Sequence, residues 1–226
     1  MMNLREIDRM LDCKPVVLDI ETKTTGTRFQ YPNGTESNHP VGLDPRVSSV
    51  TSVSFRTEQS LFCIDDDVEN VIRMVSEAYI DSLSRSLGHV LFTWNGLFFD
   101  LPFLAVRKFG GVEIFTTSDD PQIEPKYGWP EWAEDVTRRK TWNTAMWRGI
   151  PHIDIAPYFR EYADAKGIRN SLKPVAESFG IPMISVNAEE MDSLTVDERL
   201  AYNASDTRGT LQLVQILIDS KGIISA

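Results

Sequence analysis

The sequence predicts an α/β fold, one mixed β-sheet with helices on both faces. Three observations carry this. Short apolar, β-branched runs alternate with stretches of helical periodicity between residues 15 and 220. The first three strand-like runs read as an antiparallel meander, whereas the later ones return through helices and should run parallel. The chain has 226 residues, 42% of them hydrophobic, enough for one large domain with an ample core.

The elements follow in order. Residues 15–20 read as a buried strand. Residues 47–56, VSSVTSVSFR, alternate and are β-branched, giving a second strand, and SLFCI at 60–64 gives a third after a short turn at Thr57 to Gln59. Val68, Val71, Ile72, Val75, Tyr79 and Leu83 fall at helical spacing. The preceding run Asp65 to Asp67 reads as the N-cap region of that helix, where acids suit the dipole. HVLFTWN, 89–95, is a fourth strand. DLPFLAVRKFG, 100–110, is a short helix closed by Gly110 and Gly111. HIDIAPYF, 152–159, is a fifth strand entering a helix. SLKPVAESFG, 171–180, is a short helix with Ser171 as cap and Gly180 as stop. A long helix spans 195–220, with Thr195 and Glu198 spaced as a capping box. Two segments break the rhythm: a polar loop at 23–46, and residues 111–150, which contain Trp129, Trp132, Trp142, Trp147 and the basic run Arg138, Arg139, Lys140. Long loops in compact domains are often functional.

Composition narrows the function. No apolar run approaches the ~20 residues of a membrane helix, and the charged N-terminus has no signal-peptide core, so a soluble, cytoplasmic protein without membrane partners is expected. Cys13 and Cys63 are in no metal-like spacing and should be reduced. The net charge of -10 argues against tight gripping of nucleic acid through its phosphates. It leaves room for an enzyme that holds a strand end briefly, and for a divalent cation that offsets part of the charge.

Three acidic signals stand out. In VVLDIET, Asp19 and Glu21 are at i and i+2 and so share one face of a strand. Like charges this close repel unless a cation lies between them. A strand ending at the surface in solvated acids is the plain alternative, and one D-x-E does not decide. Asp100 stands at the start of a helix, where an ordinary capping role fits equally. Tyr202 and Asp206, at i and i+4, put a phenol and a carboxylate on one helical face.

Taken in order, LDIET, NGLFFD and YNASD resemble the three exonuclease motifs of the DEDD superfamily, and the tyrosine four residues before the last aspartate resembles its DEDDy branch. The middle motif, with Asn95 and the run Phe99, Asp100, Leu101, Pro102, looks most like the proofreading domains of family-B DNA polymerases. HIDIAPYF and SLKPVAESFGI resemble the stretch before the last motif in such domains. The resemblance implies a ribonuclease-H-like fold: a mixed five-stranded sheet with the first strand central and the second antiparallel. It spans about 15 to 218 of a single exonuclease domain, 1–226, with a Trp-rich insertion at about 111–150.

The function so implied is metal-dependent 3′→5′ hydrolysis of DNA at single-stranded or frayed ends. Two divalent ions ~3.5–4 Å apart activate water and relieve charge on the phosphate; hard oxygen ligands suit magnesium or manganese. By resemblance, Asp19 bridges both ions, Glu21 and Asp206 complete one site, Asp100 supports the second through water, and Tyr202 orients the attacking water. Thr22 would bond the terminal nucleotide through its backbone. Asn95 and Phe99 would contact the substrate strand, against plain readings as a turn residue and a core residue. Asp154 is read as structural. The aromatic and basic insertion, with Arg148, is either a clamp for single strands or its own small core. Two other functions fit the same residues: an exoribonuclease, and a non-catalytic binding or scaffold module, which would be expected to lose one of the acids. The acidic charge also leaves room for a protein partner, in replication or repair, that delivers the substrate.

Overall fold

β1 (Lys14–Thr24) is the strand around which the chain is assembled. In the computed structural model, residues 13–24, 30, 33–36, 44–116, 142–186 and 193–224 are described. β1 is apolar on both faces because both are covered. Val16, Leu18 and Ile20 enter one core, and Val17, between them, enters another. The first core is closed by Ile72 and Ile80 of α1 (Glu69–Ser84) and by Leu101, Phe103 and Leu104 of α2 (Asp100–Val106). The second is closed by Ala163 of α3 (Arg160–Lys166), Val175 and Ala176 of α4 (Leu172–Ser178), and Leu213 and Val214 of α5 (Val196–Ile224). Helices therefore cover both faces, as the alternation of the sequence requires. Among the described residues, no helix is long and apolar enough to cross a membrane, and neither cysteine is in a disulfide.

The sheet has seven strands rather than five. With β2 (Ser48–Arg56), β3 (Leu61–Asp65), β4 (His89–Thr93), β5 (Val112–Thr116), β6 (Trp142–Trp147) and β7 (Ile150–Asp154), the order is β3-β2-β1-β4-β7-β6-β5. β2 is antiparallel to β1 and to β3, whereas β4 is parallel to β1 and to β7. These five form the expected arrangement, with β1 in their middle. The two further strands come from the segment read as an insertion. Arg148 and Gly149, at φ 50° and 77°, make a two-residue turn that pairs Trp147 with Ile150. Both central residues have positive φ, as tight hairpins need. Asn-Gly would have announced this turn; Arg-Gly does not. Trp147 is fully buried, which answers for that residue the choice between core and clamp. Arg148 is likewise a staple, since it pairs with Glu77 at 3.0 Å and Asp81 at 3.2 Å. Trp129, Trp132, Arg138, Arg139 and Lys140 lie outside the described residues.

Several local expectations shift. β1 continues past Glu21 to Thr24, paired with β2 across a bulge between Glu21 and Thr22. The acids are thus inside a strand, not at its solvated end. Asp65 does not cap α1; its buried carboxylate takes two bonds from Arg199, at 2.9 and 2.7 Å. Asp66 accepts the Val68 N–H at 2.7 Å, one residue before the helix begins. α2 ends at Val106, short of Gly110, where Lys108 turns to φ 65°. Ser171 occupies the cap position of α4 without a side-chain cap bond. Gly180, at φ 76°, is the expected stop. The capping box of α5 is present, with Thr195 N–H to Glu198 at 2.8 Å and Glu198 N–H to Thr195 Oγ1 at 3.3 Å.

α5 is pinned to the sheet by polar contacts that set its rotation. Besides Arg199 with Asp65, Asn203 Nδ2 donates to Ser52 Oγ at 3.1 Å, Thr207 meets Ser54 at 3.3 Å, and Arg56 donates to the Ala204 carbonyl at 3.2 Å. Arg199→Ala leaves the Asp65 carboxylate, whose side chain is 0% exposed, without its charge partner. The expected loss is about 3 kcal/mol of stability, read from urea unfolding, and a change within error would mean that this pair does not hold α5.

Candidate active site

Strand parity places the first two acids. Residues 17, 19 and 21 share a face of β1, and Val17 packs in the core closed by α5. Asp19 and Glu21 therefore project toward that helix. On α5, Tyr202 and Asp206 are one turn apart, and the pins on either side turn them to the same place. Ligand oxygens of Asp19, Glu21 and Asp206 lie within 4.8 Å of one another. Asp206 Oδ1 is buried without a hydrogen-bond partner. Asp100 enters from the first turn of α2 and is 4% exposed. Its Oδ1 accepts the Ile20 N–H at 3.2 Å, which ties it to β1 between the two strand acids.

Every one of these carboxyls holds its proton more tightly than usual, and for Asp19 and Glu21 the neighbouring acids add to the effect. Burial is the largest cause throughout. It pushes Asp19 well above the usual range, reinforced by Glu21, Asp100 and Asp206. Glu21 rises to about 8, through burial and then Asp206 and Asp100. Asp100 rises to about 7 and Asp206 to about 6. Charges that repel, are partly desolvated and share an unpartnered oxygen are what a divalent cation relieves. The donors are all hard oxygens, as magnesium or manganese prefers. Asp19, Glu21 and Asp206 thus fit a metal ion, with Asp100 adjacent.

One cation is already present among them. Lys173 Nζ donates to the Tyr202 phenol oxygen at 2.6 Å and lies 3.9 Å from Asp206 Oδ2. Its charge lowers the proton affinity of Asp19, Glu21 and Asp206. None of the three acidic motifs contains this residue. It is the second residue of α4, where a cation opposes the helix dipole. That mismatch, inside the motif-like SLKP, is the signal that an acidic partner lies elsewhere. The Tyr202 phenol is pushed further up, first by burial and then by Asp206, Glu21 and Asp19, and so remains protonated.

The turn that presents Asp100 is built from buried polar groups. Asp154 accepts N–H groups from Asn95 at 2.8 Å, Leu97 at 3.3 Å and Ala156 at 3.1 Å, a structural role, as read from the sequence. Gly96 N–H donates to Thr93 Oγ1 at 3.0 Å, and the Thr93 hydroxyl shares a hydrogen bond with His152 Nε2 at 2.7 Å. Burial lowers the His152 affinity to about 3, which keeps this ring neutral. A Cβ on Gly96 would fall 2.3 Å from Thr93 Oγ1, so the turn requires glycine there. Asn95 is exposed at φ 64° in this turn, Phe99 is half-buried against Phe103 at 5.5 Å, and Thr22 stands at the β1 bulge.

By sequence, the chain matches no established protein family and no curated protein. By structure it is similar to a family B DNA polymerase from the hyperthermophilic archaeon Pyrobaculum calidifontis, with a TM-score of 0.56 and 15% identity. The match covers 91% of this chain and 24% of the polymerase chain. At this identity the likeness is one of fold.

Proposed function

We propose that this protein is a 3′→5′ exonuclease of the DEDDy type, hydrolysing DNA from single-stranded or frayed 3′ ends with divalent metal ions. The observation that carries the reading is the convergence of Asp19, Glu21 and Asp206 within 4.8 Å, with the Tyr202 phenol one turn from Asp206. The fold likeness to a family B DNA polymerase supports it. The acids come from two stretches nearly 190 residues apart, and a third stretch brings Asp100 beside them.

Asp19, Glu21 and Asp206 would hold one ion, and Asp19 with Asp100 a second. Magnesium or manganese bound there acidifies water and offsets charge on the phosphoryl oxygens. The side chains supply the positioning. Tyr202, kept protonated, donates a hydrogen bond to the attacking water rather than taking its proton. Lys173 fixes the phenol and adds positive charge beside the phosphate. Asn95, Phe99 and the Thr22 backbone hold the terminal nucleotides. Water gives up a proton to solvent and adds to phosphorus, the P–O3′ bond breaks, the leaving O3′ takes a proton from solvent to become the 3′-hydroxyl of the shortened strand, and a 5′-nucleotide leaves.

A 5′-labelled oligodeoxynucleotide should shorten stepwise with magnesium or manganese and remain intact with chelator. A 3′-terminal block should stop the reaction. Internal cuts, or degradation that persists in chelator, would overturn the assignment. The same ladder run on an oligoribonucleotide reports whether the 2′-hydroxyl is tolerated.

A further inference from the structure

A second feature adjoins the acidic site. A cleft of about 440 Å³ is lined by Trp94, Asn95, Arg160, Arg169, Asn170 and Asp154, among others. That volume is within the ~300–1,000 Å³ over which proteins hold small ligands. One wall begins at Asn95, in the turn that ends at Asp100. The other runs through residues 169–172 directly into Lys173. A strand leaving the acids between these walls enters the cleft.

The cleft gathers two guanidinium groups. The protein carries a net charge of -10, and Arg46, Arg107, Arg148 and Arg199 are each ion-paired to an acid. Arg160 and Arg169 are exposed and, among the described residues, have no acidic partner. The acid in the lining, Asp154, already spends both oxygens on backbone N–H groups. Asn170 donates through Nδ2 to the Ala156 carbonyl at 3.2 Å, while its Oδ1 is buried without a partner. Trp94, packed on Phe159 at 5.8 Å, offers aromatic surface.

We infer that this cleft is a subsite for the nucleic-acid strand upstream of the scissile bond, in which Arg160 and Arg169 hold backbone phosphates and Trp94 and Asn170 receive a base. The inference rests on the nuclease reading of the neighbouring acids. Guanidinium groups match phosphate in shape and charge, and a base stacks on an aromatic face with little sequence preference. The subsite reconciles a strongly acidic protein with an anionic polymer: two guanidinium groups free of acids stand together on the path of one strand.

The test uses R160Q/R169Q in the full chain, with thermal unfolding as the check on folding. Fluorescence anisotropy of an oligo-dT with calcium reads strand binding. Hydrolysis of the p-nitrophenyl ester of thymidine 5′-monophosphate reads the acidic site without a strand. Binding of oligo-dT should weaken roughly tenfold, and its salt slope should flatten by about 1.4, as expected for two lost phosphate contacts on a single strand. The KM for oligo-dT cleavage should rise roughly tenfold more than that for the ester. An unchanged affinity and salt slope would overturn the subsite, as would equal losses on the strand and the ester. A wild-type protein that hydrolyses neither substrate would overturn the nuclease reading, while the anisotropy still decides the subsite.

Discussion

Asp19→Asn should lose nearly all exonuclease activity while making the metal-free protein more stable. Both effects have one cause. Asp19 is held among Glu21, Asp100 and Asp206, with only the Lys173 charge opposing them. On the proposed nuclease reading it would help to hold both ions. A ligated ion stabilises transition-state charge by several kcal/mol, and each ~1.4 kcal/mol is tenfold in rate. The loss should therefore be about 10³-fold or more. Without metal the same carboxyl is only a buried, repelled acid. An amide of equal shape removes the repulsion and should raise stability by about 1 kcal/mol, or ~2–4 °C in melting temperature for a chain of this size. Steady-state cleavage and a thermal scan in chelator measure the two arms. Retained cleavage would remove Asp19 from the site, and a lower melting temperature would mean that its charge has a partner worth more than the repulsion.

Stability gained where activity is lost would mark a functional position, and the candidate site positions are the ones that local periodicity makes legible. The parity of Asp19 and Glu21 and the one-turn spacing of Tyr202 and Asp206 follow from strand and helix periods alone. Long-range placement had to come from elsewhere. The pairs that rotate α5 into register, Arg199 with Asp65 and Asn203 with Ser52, are separated by 134 and 151 residues, and nothing local marks them. Asp65 was read as a cap because an acid before a helix usually is one; a buried partner on another element outweighed the local preference. Lys173 escaped for the converse reason, since its own helix gives it no use. The strands β5 and β6 hid in a segment read as an insertion, and the Arg-Gly turn after them carries no hairpin signature. In each case the missing information was a contact between distant segments.

Metal-free protein should melt at a higher temperature near about pH 5.5 than near about pH 8, and excess magnesium or manganese should reverse much of that difference. In the unfolded chain these carboxyls lose their protons near ~4. Folded and without metal, Asp206 keeps its proton to about 6, Asp100 to about 7 and Glu21 to about 8. Through this window the folded state binds more protons than the unfolded one, so the free energy of unfolding falls as pH rises. The stabilisation is complete below the unfolded values and is lost as pH climbs past the folded ones. His152, already neutral, adds nothing here. Asp154, raised to about 6 by burial, contributes to the same slope but is occupied by backbone N–H groups, so metal should not relieve its share. A divalent cation binds the ionised cluster, and at a hundredfold excess over its Kd stabilises by ~2.7 kcal/mol. Near pH 5.5 protons compete for the same oxygens, and the gain should be smaller. In Asp19→Asn both the pH slope and the metal response should shrink together. A wild-type melting temperature that rises toward pH 8, or a metal response equal at both pH values, would mean that these four carboxyls do not share one crowded site.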